Sequence, residues 1–192
     1  MKICFATNNK NKVAEISALL PDGFEVLSLQ EVGCAEELPE NQMTLAGNSL
    51  EKAQYLYDNY SINCFADDTG LEVEALDGAP GVYSARFAGE QRSSEDNMQL
   101  LLEKLANKKN RKAQFRTVIT LILEGKIKQF EGVAKGEISK EKRGEKGFGY
   151  DPIFIPEGFS KSFAAMSSAE KNNVSHRAMA IKKLIHYFSN GL

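Results

Sequence analysis

Apolar residues recur along this chain at two spacings, and each spacing predicts a kind of element. "KICFAT" (2–7) is a short apolar run that ends in polar residues, which reads as a buried strand. In "NNKNKVAEISALL" (8–20), Val13, Ile16 and Leu20 at i, i+3 and i+7 mark one buried helix face, and Pro21-Asp22-Gly23 then breaks it. "FEVLSL" (24–29) alternates as a second strand. Met43, Ala46, Leu50, Ala53 and Tyr57 fall on one stripe, predicting a helix over 43–57 with Met43 turned inward. "INCFA" (62–66) reads as a buried strand and "LEVEAL" (71–76), which alternates strictly, as a half-buried one. Ser93 or Ser94 caps a helix whose inner face is Met98, Leu101, Leu102 and Leu105.

Further on, "AQFRTVITLIL" (113–123) and "IKQFEGVAKGEI" (127–138) flank Glu124-Gly125-Lys126, the spacing of an antiparallel hairpin. A last helix is expected from about Ser168 to Phe188, with Val174, Ala178, Ile181, Ile185 and Phe188 inward. Helices interspersed with parallel-type and hairpin strands predict a mixed-sheet α/β fold, the hairpin half forming a projecting lobe. With no internal repeat, low-complexity tract or long linker, residues 1–192 read as one domain.

Composition narrows the class of protein. At 42% hydrophobic and 26% charged residues the chain is an ordinary globule. A formal net charge of −2 argues against a binder of nucleic-acid polymers, and the runs "KKNRK" (108–112) and "KGEISKEKRGEK" (135–146) read as solvated faces. Cys4, Cys34 and Cys64 are far apart, form no CxxC, and suit reduced thiols in a cytoplasmic protein. With two histidines in the whole chain, a zinc site is not expected. "MKICFATNN" turns polar too soon for a signal peptide, and no run nears the ~18 apolar residues of a membrane span.

The chemistry sits at the polar ends of the predicted elements. Thr7, Asn8, Asn9, Lys10, Asn11 and Lys12 lie where a strand hands over to a helix, and their N–H groups and side-chain donors suit a phosphate. This is no Walker loop, since GxxxxGK[ST] is absent, and plain capping by Asn8 or Asn9 explains the same residues. Asp67 and Asp68 follow a buried run, and neighbours on an extended chain point to opposite faces unless the strand ends there. A buried carboxylate needs a partner, and a divalent cation is a common one. Mg²⁺ takes one or two protein carboxylates together with phosphates and water. Glu40 is a candidate second carboxylate, on the same local footing as Glu36 and Glu37. Asp68-Thr69-Gly70 also spells the loop triplet of an aspartic protease, which needs two such loops and therefore a dimer.

"KGFGYDP" (146–152) combines permissive Gly147 and Gly149 with Phe148 and Tyr150, flat faces on which a base stacks, and Asp151 adds an acceptor. A turn with core-packed aromatics accounts for the same residues. Ser175-His176-Arg177, with Lys171 four residues before Ser175, offer donors that suit the oxygen of a 6-oxopurine and oppose adenine's amino group. An exposed helix start with ordinary cations is the plainer alternative.

Taken together these stretches resemble the inosine triphosphate pyrophosphatase family, the dITP/XTP pyrophosphatases that clear non-standard purine nucleotides. The resemblance runs end to end through "TNNKNK" (7–12), "ELPEN" (37–41), "NSLEKA" (48–53), "ADDTGLEVEALDGAPGVYSARFAG" (66–89), "KGFGYDPIF" (146–154), "EK" (170–171) and "SHR" (175–177). It implies an elongated three-layer α/β/α fold, two lobes with a central cleft, a homodimer, and Mg²⁺-dependent release of pyrophosphate. By position, Thr7, Asn8, Lys12, Lys52 and Thr69 would hold the triphosphate, and the neighbouring Asn9, Lys10 and Asn11 complete that turn. Glu40 and Asp68 would bind Mg²⁺, and Asp68 or its neighbour Asp67 would take the proton. Phe148, Gly149, Tyr150, Asp151, Lys171, His176 and Arg177 would surround the base. Family members often carry an acidic residue where Gly47 stands and Ser where Thr69 stands. Gly47 keeps a catalytically silent nucleotide-binding module as an alternative, beside a pyrophosphatase of different base preference.

Overall fold

The computed structural model describes residues 2–21 and 23–190, so Asp22 of the predicted break lies outside the described residues. In chain order the elements are β1 (Lys2–Phe5), α1 (Lys10–Ser17), β2 (Glu25–Leu27), α2 (Leu45–Tyr60), β3 (Cys64–Val73), β4 (Pro80–Gly81) and α3 (Ser94–Lys104). They continue with β5 (Lys112–Leu123), β6 (Lys126–Ile138), β7 (Phe154–Pro156), α4 (Ser168–Val174) and α5 (His176–Asn190). The strands pair in the order β2-β1-β3-β5-β6-β7, with β4 beside β3. The fold is the expected mixed α/β class. By contact the chain divides into two compact units: one takes residues up to Asp68, 117–132 and from Arg177 on, the other 69–116 and 133–176.

In the first unit β1 pairs in parallel with both β2 and β3, Cys4 lying opposite Leu27 and Cys64. Alternation along β1 sends Ile3 and Phe5 into one apolar layer with Ile16, Phe65, Ile181 and Leu184, while Cys4 joins Leu29, Ala53, Leu56 and Cys64 in another. Phe5 and Phe65 stack with centroids 4.7 Å apart. Among the bonds that join α2 to the strands is that of the Ser49 hydroxyl: Oγ donates to Ala66 O (3.0 Å) and lies 2.8 Å from Thr120 Oγ1. That bond meets the strand one residue before Asp67, so it sets the depth at which α2 presents its polar face.

In the second unit the pairing is antiparallel, Leu71 opposite Gly81 and Gly136 opposite Pro156. Its core gathers Leu71, Val73, Met98, Leu101, Phe115, Ile138, Phe154 and Phe163. Phe115 meets Phe154 edge-on at 4.8 Å between centroids.

Three expectations change. β3 runs unbroken through both aspartates, and "LEVEAL" is its end plus a 3₁₀ turn at Glu74–Leu76; left-handed Asp77 (φ 52°) and Gly78 (φ 86°) turn the chain there. A strand tolerates carboxylates in its middle once each is paired, as both are here. Met43 is 75% exposed, because α2 starts only at Leu45, capped by Thr44, whose Oγ1 accepts from Gly47 N–H (3.0 Å). The last helix is two: extended Ser175 (ψ 148°) separates α4 from α5, and a Ser167–Glu170 capping box starts α4. Glu124-Gly125 is the hairpin turn expected, with positive φ at both residues (49° and 77°), as a type I′ turn requires. Among the described residues no helix is long and apolar enough to cross a membrane.

Burial, with Cys34 nearby, pushes the Cys4 thiol up to about 12, and burial, with Cys4 beside it, does the same for Cys64. An unfolded cysteine ionises near pH 8.5, so above about pH 9 the unfolded chain sheds protons that the native thiols keep. Native stability therefore falls as pH rises from about 9 to 12, by about 1.4 kcal/mol per pH unit for each thiol. Urea unfolding at about pH 8 and about pH 10.5 should show a smaller alkaline loss in Cys64→Ala than in the parent, and equal losses would contradict this account.

Candidate functional site

The polar ends of β1, α1, α2, β3 and α5 in the first unit carry a dense set of charges. Asp67 is wholly buried, and its two oxygens part company: Oδ1 accepts from Lys12 Nζ (2.9 Å), while Oδ2 accepts from Arg177 Nε and Nη2 (3.3 Å each). Arg177 also pairs with Glu15 of α1. Asp68 points the other way along the strand. Its Oδ2 accepts from Asn48 Nδ2 (3.0 Å) and its Oδ1 lies 3.9 Å from Lys52 Nζ, which also holds Glu40 Oε1 at 2.5 Å. Adjacent carboxylates thus serve different partners because side chains alternate across an extended chain.

The electrostatics follow the partners. Burial alone would raise the Asp67 carboxyl, but Lys12, Arg177 and Lys52 together hold it well below the usual range. For Asp68 burial wins over Lys52 and Lys12, and its carboxyl is raised. Burial lowers the Lys12 ammonium despite Asp67, whereas Asp68, Glu40 and Asp67 outweigh the burial of Lys52 and keep it raised.

At the α1 start, Asn9 is the N-cap: its Oδ1 accepts from Asn11 N–H (3.0 Å) and Lys12 N–H (3.2 Å), and its own N–H donates to Thr7 Oγ1 (3.2 Å). Those amides are closed within the turn, so the capping alternative holds for Asn9, and phosphate contact there falls to side chains. Asn8, Asn9, Lys10 and Asn11 are exposed, Thr7 and Lys12 half-buried. Thr69, also half-buried, lies inside β3, so the Asp-Thr-Gly triplet is not the loop that the protease alternative needs.

In the second unit Asp151 organises "KGFGYDP". Its Oδ2 accepts from Phe148 N–H (2.9 Å) and from Lys171 Nζ (2.7 Å), and Lys171 sits 5.1 Å from the Phe148 ring centroid. Gly147 has φ 77°, and a Cβ there would strike the Asp151 carboxylate, so glycine is required. Half-buried Gly149 (φ 61°) makes the second left-handed bend. His176 is buried and stacks on Phe115 at 4.6 Å, ring planes 14° apart. Tyr150 is a core residue whose hydroxyl donates to Ser84 O (2.9 Å). Arg177, beside His176, pairs with Asp67 and Glu15; both residues are buried, so neither is an exposed helix start.

Residue-by-residue reading overlooked Glu15, Asn48 and Glu51. For Glu15 and Asn48 the signal was helical spacing: Glu15 follows Lys12 by three residues, and Asn48 precedes Lys52 by four, each pair on one helix face; Glu51 had no such local signal. Among the described residues no three His, Cys, Asp or Glu side chains cluster closely enough to hold a metal by themselves. Two hard carboxylates that converge on one lysine, Glu40 and Asp68 on Lys52, do suit a cation that draws its other ligands from phosphate and water.

In fold this is a mixed α/β protein whose first unit gathers paired lysines, an arginine and carboxylates. The chain belongs to the Ham1 family, whose model matches residues 3–187. It is 56% identical over 185 residues to the dITP/XTP pyrophosphatase of Flavobacterium johnsoniae, covering 96% of each chain. It is 54% identical over 190 residues to the enzyme of the same name from Flavobacterium psychrophilum, covering 99% of this chain and all of that one. The solved Staphylococcus aureus Ham1 protein superimposes with a TM-score of 0.91 at 38% identity, over the full length of both chains.

Asp67→Asn would leave Lys12 and Arg177 facing a neutral amide in a buried place. Because the native carboxyl is depressed, its stabilisation is fully present above the unfolded value of about 3.9, declines gradually below it and is gone only once pH passes the depressed native value. The variant should lose about 3–5 kcal/mol at neutral pH, and the gap between the two proteins should begin to narrow only below about pH 4 and still be substantial near pH 3, read from denaturant unfolding. Equal stability of the two proteins at neutral pH would refute the assignment.

Proposed function

We propose that this chain hydrolyses non-standard purine nucleoside triphosphates, ITP, dITP and XTP, to the monophosphate and pyrophosphate. The observation that carries the reading is the cluster of Lys12, Lys52, Asp67, Asp68 and Glu40 in a chain related over its full length to dITP/XTP pyrophosphatases. Among these groups and their partners, Lys12, Lys52 and Arg177 face Asp67, Asp68, Glu40 and Glu15, which leaves no surplus of positive charge. A polyphosphate therefore needs a cation brought with it. Glu40 and Asp68 would hold Mg²⁺, which when bound neutralises charge developing on the phosphates.

The remaining work falls to the chain's own groups. Asp67 is enclosed by Lys12 and Arg177, whereas Asp68 retains slight exposure, so Asp68 is the carboxylate that orients water and accepts its proton. The water oxygen bonds to the α-phosphorus, the bond to the bridging oxygen of the β-phosphate breaks, and pyrophosphate leaves. Lys12 and Lys52, each with three N–H donors, keep donors for that departing charge beyond those given to carboxylates. Thr7, Asn8 and Thr69 add neutral donors to the triphosphate, with Lys10 and Asn11 beside them. Base reading is assigned to the second unit: Phe148 as the stacking face, Gly149 as its flexible neighbour, and Lys171 and His176 as donors to a 6-oxo group. Asp151 orients Lys171. The same reading takes residues 1–192 as one domain, a homodimer as the assembly and the cytoplasm as the compartment, as the family resemblance implies.

Incubation with ITP, XTP, ATP and GTP, with and without Mg²⁺, tests it by chromatography of products. Expected are IMP or XMP plus pyrophosphate only with metal, ATP and GTP being largely spared. Asp68→Asn should lower kcat by about 100-fold or more while ITP still binds. Equal cleavage of all four nucleotides would overturn the roles of Lys171 and His176, and no cleavage would favour the silent binding module.

A further inference from the structure

The segment that carries Glu40 has no regular structure of its own, and one face of α2 holds it. Asn41 N–H donates to Glu51 Oε2 (2.7 Å), and Asn41 Nδ2 and Gln42 Nε2 each donate to Glu51 Oε1 (3.3 Å). One turn earlier, Asn48 Oδ1 accepts from Gln42 N–H (2.8 Å) while its Nδ2 donates to Asp68. Next to Asn48 the helix is bare: a Cβ on Gly47 would stand 2.7 Å from Gln42 Cβ, so the segment crosses where any side chain at 47 would be.

We propose that Glu51 is a positioning residue: by gripping Asn41 and Gln42 it sets Glu40 against Lys52 and Asp68, and the bare backbone at Gly47 lets the segment lie close enough to be gripped. The inference rests on the reading of Glu40 and Asp68 as cation ligands. Glu51 itself touches neither cation nor substrate. It acts through the backbone N–H of Asn41 and the side-chain amides of Asn41 and Gln42, and Lys52, the next residue on the helix, receives Glu40 from the other side. Glu51 therefore governs how well the two carboxylates are spaced before a cation arrives, which is a matter of affinity more than of turnover at saturation. The grip needs acceptor oxygens, not a charge.

Binding of Mn²⁺ alone, followed by the EPR signal of the free ion, separates these terms. Glu51→Ala should weaken Mn²⁺ binding by about 10- to 100-fold, and Gly47→Ala, which pushes Gln42 away, should do the same. Glu51→Gln keeps an acceptor for the Asn41 N–H and should stay within about fivefold of the parent. The Mn²⁺ concentration for half-maximal ITP turnover should move by the same factor, with kcat at saturating metal held. Parent-like Mn²⁺ affinity in a folded Glu51→Ala, as judged by circular dichroism, would overturn the proposal alone. Equal weakening in Glu51→Ala and Glu51→Gln would overturn it in favour of a simple charge effect. A parent protein that binds no Mn²⁺ and cleaves no nucleotide would overturn it together with the reading beneath it.

Discussion

A carboxylate sealed from water cannot stand alone, and Asp67 is such a group. It must be met by cations, and it draws one from α1 (Lys12) and one from the head of α5 (Arg177). Two segments far apart in sequence are thereby tied to one point on β3. The tie is directional as well as electrostatic: one oxygen is given to the lysine and the other to the fork of the guanidinium. Arg177 is further held by Glu15, so the place where the chain enters α5 is specified by charge, not by apolar packing alone.

Asp68 inherits a different task from the same strand geometry. With Asp67 turned to Lys12 and Arg177, its neighbour is turned to α2, where Asn48 and Lys52 wait. A structural carboxylate and a chemically available one are thus made from two adjacent identical residues. Burial raises one, and cations depress the other. The depth of α2, fixed by the Ser49 hydroxyl on Ala66 O, determines how closely Lys52 comes to both Asp68 and Glu40. In the second unit the same economy recurs, since one oxygen of Asp151 both closes the Phe148 turn and orients Lys171.

Much of this was legible from residue order. The elements with clear periodicity, α1, α3 and the β5–β6 hairpin, stand close to where pattern puts them, because each buries one face of a local repeat. The chain's membership in its family was carried by short motifs in fixed order. Less legible was the break at Ser175: the apolar stripe continues through it, and nothing local reveals that Lys171 and His176 are both buried on either side. Met43 misled for the opposite reason, having the right spacing for a helix that had not yet begun. Tyr150 and Phe148 look alike in sequence, yet one lies in the core and the other stands half-buried beside Lys171.

Sequence alone determined the fold class and the hairpin turn, since these depend on local spacing and on residue type. Tertiary structure alone decided which carboxylate meets which cation, that Arg177 belongs with Asp67 and Glu15, and that Glu51 and Asn48 hold the segment bearing Glu40. Those pairings join residues from 6 to more than 100 positions apart, and a charge's partner is chosen by distance in space and by burial, neither of which is written in neighbouring letters.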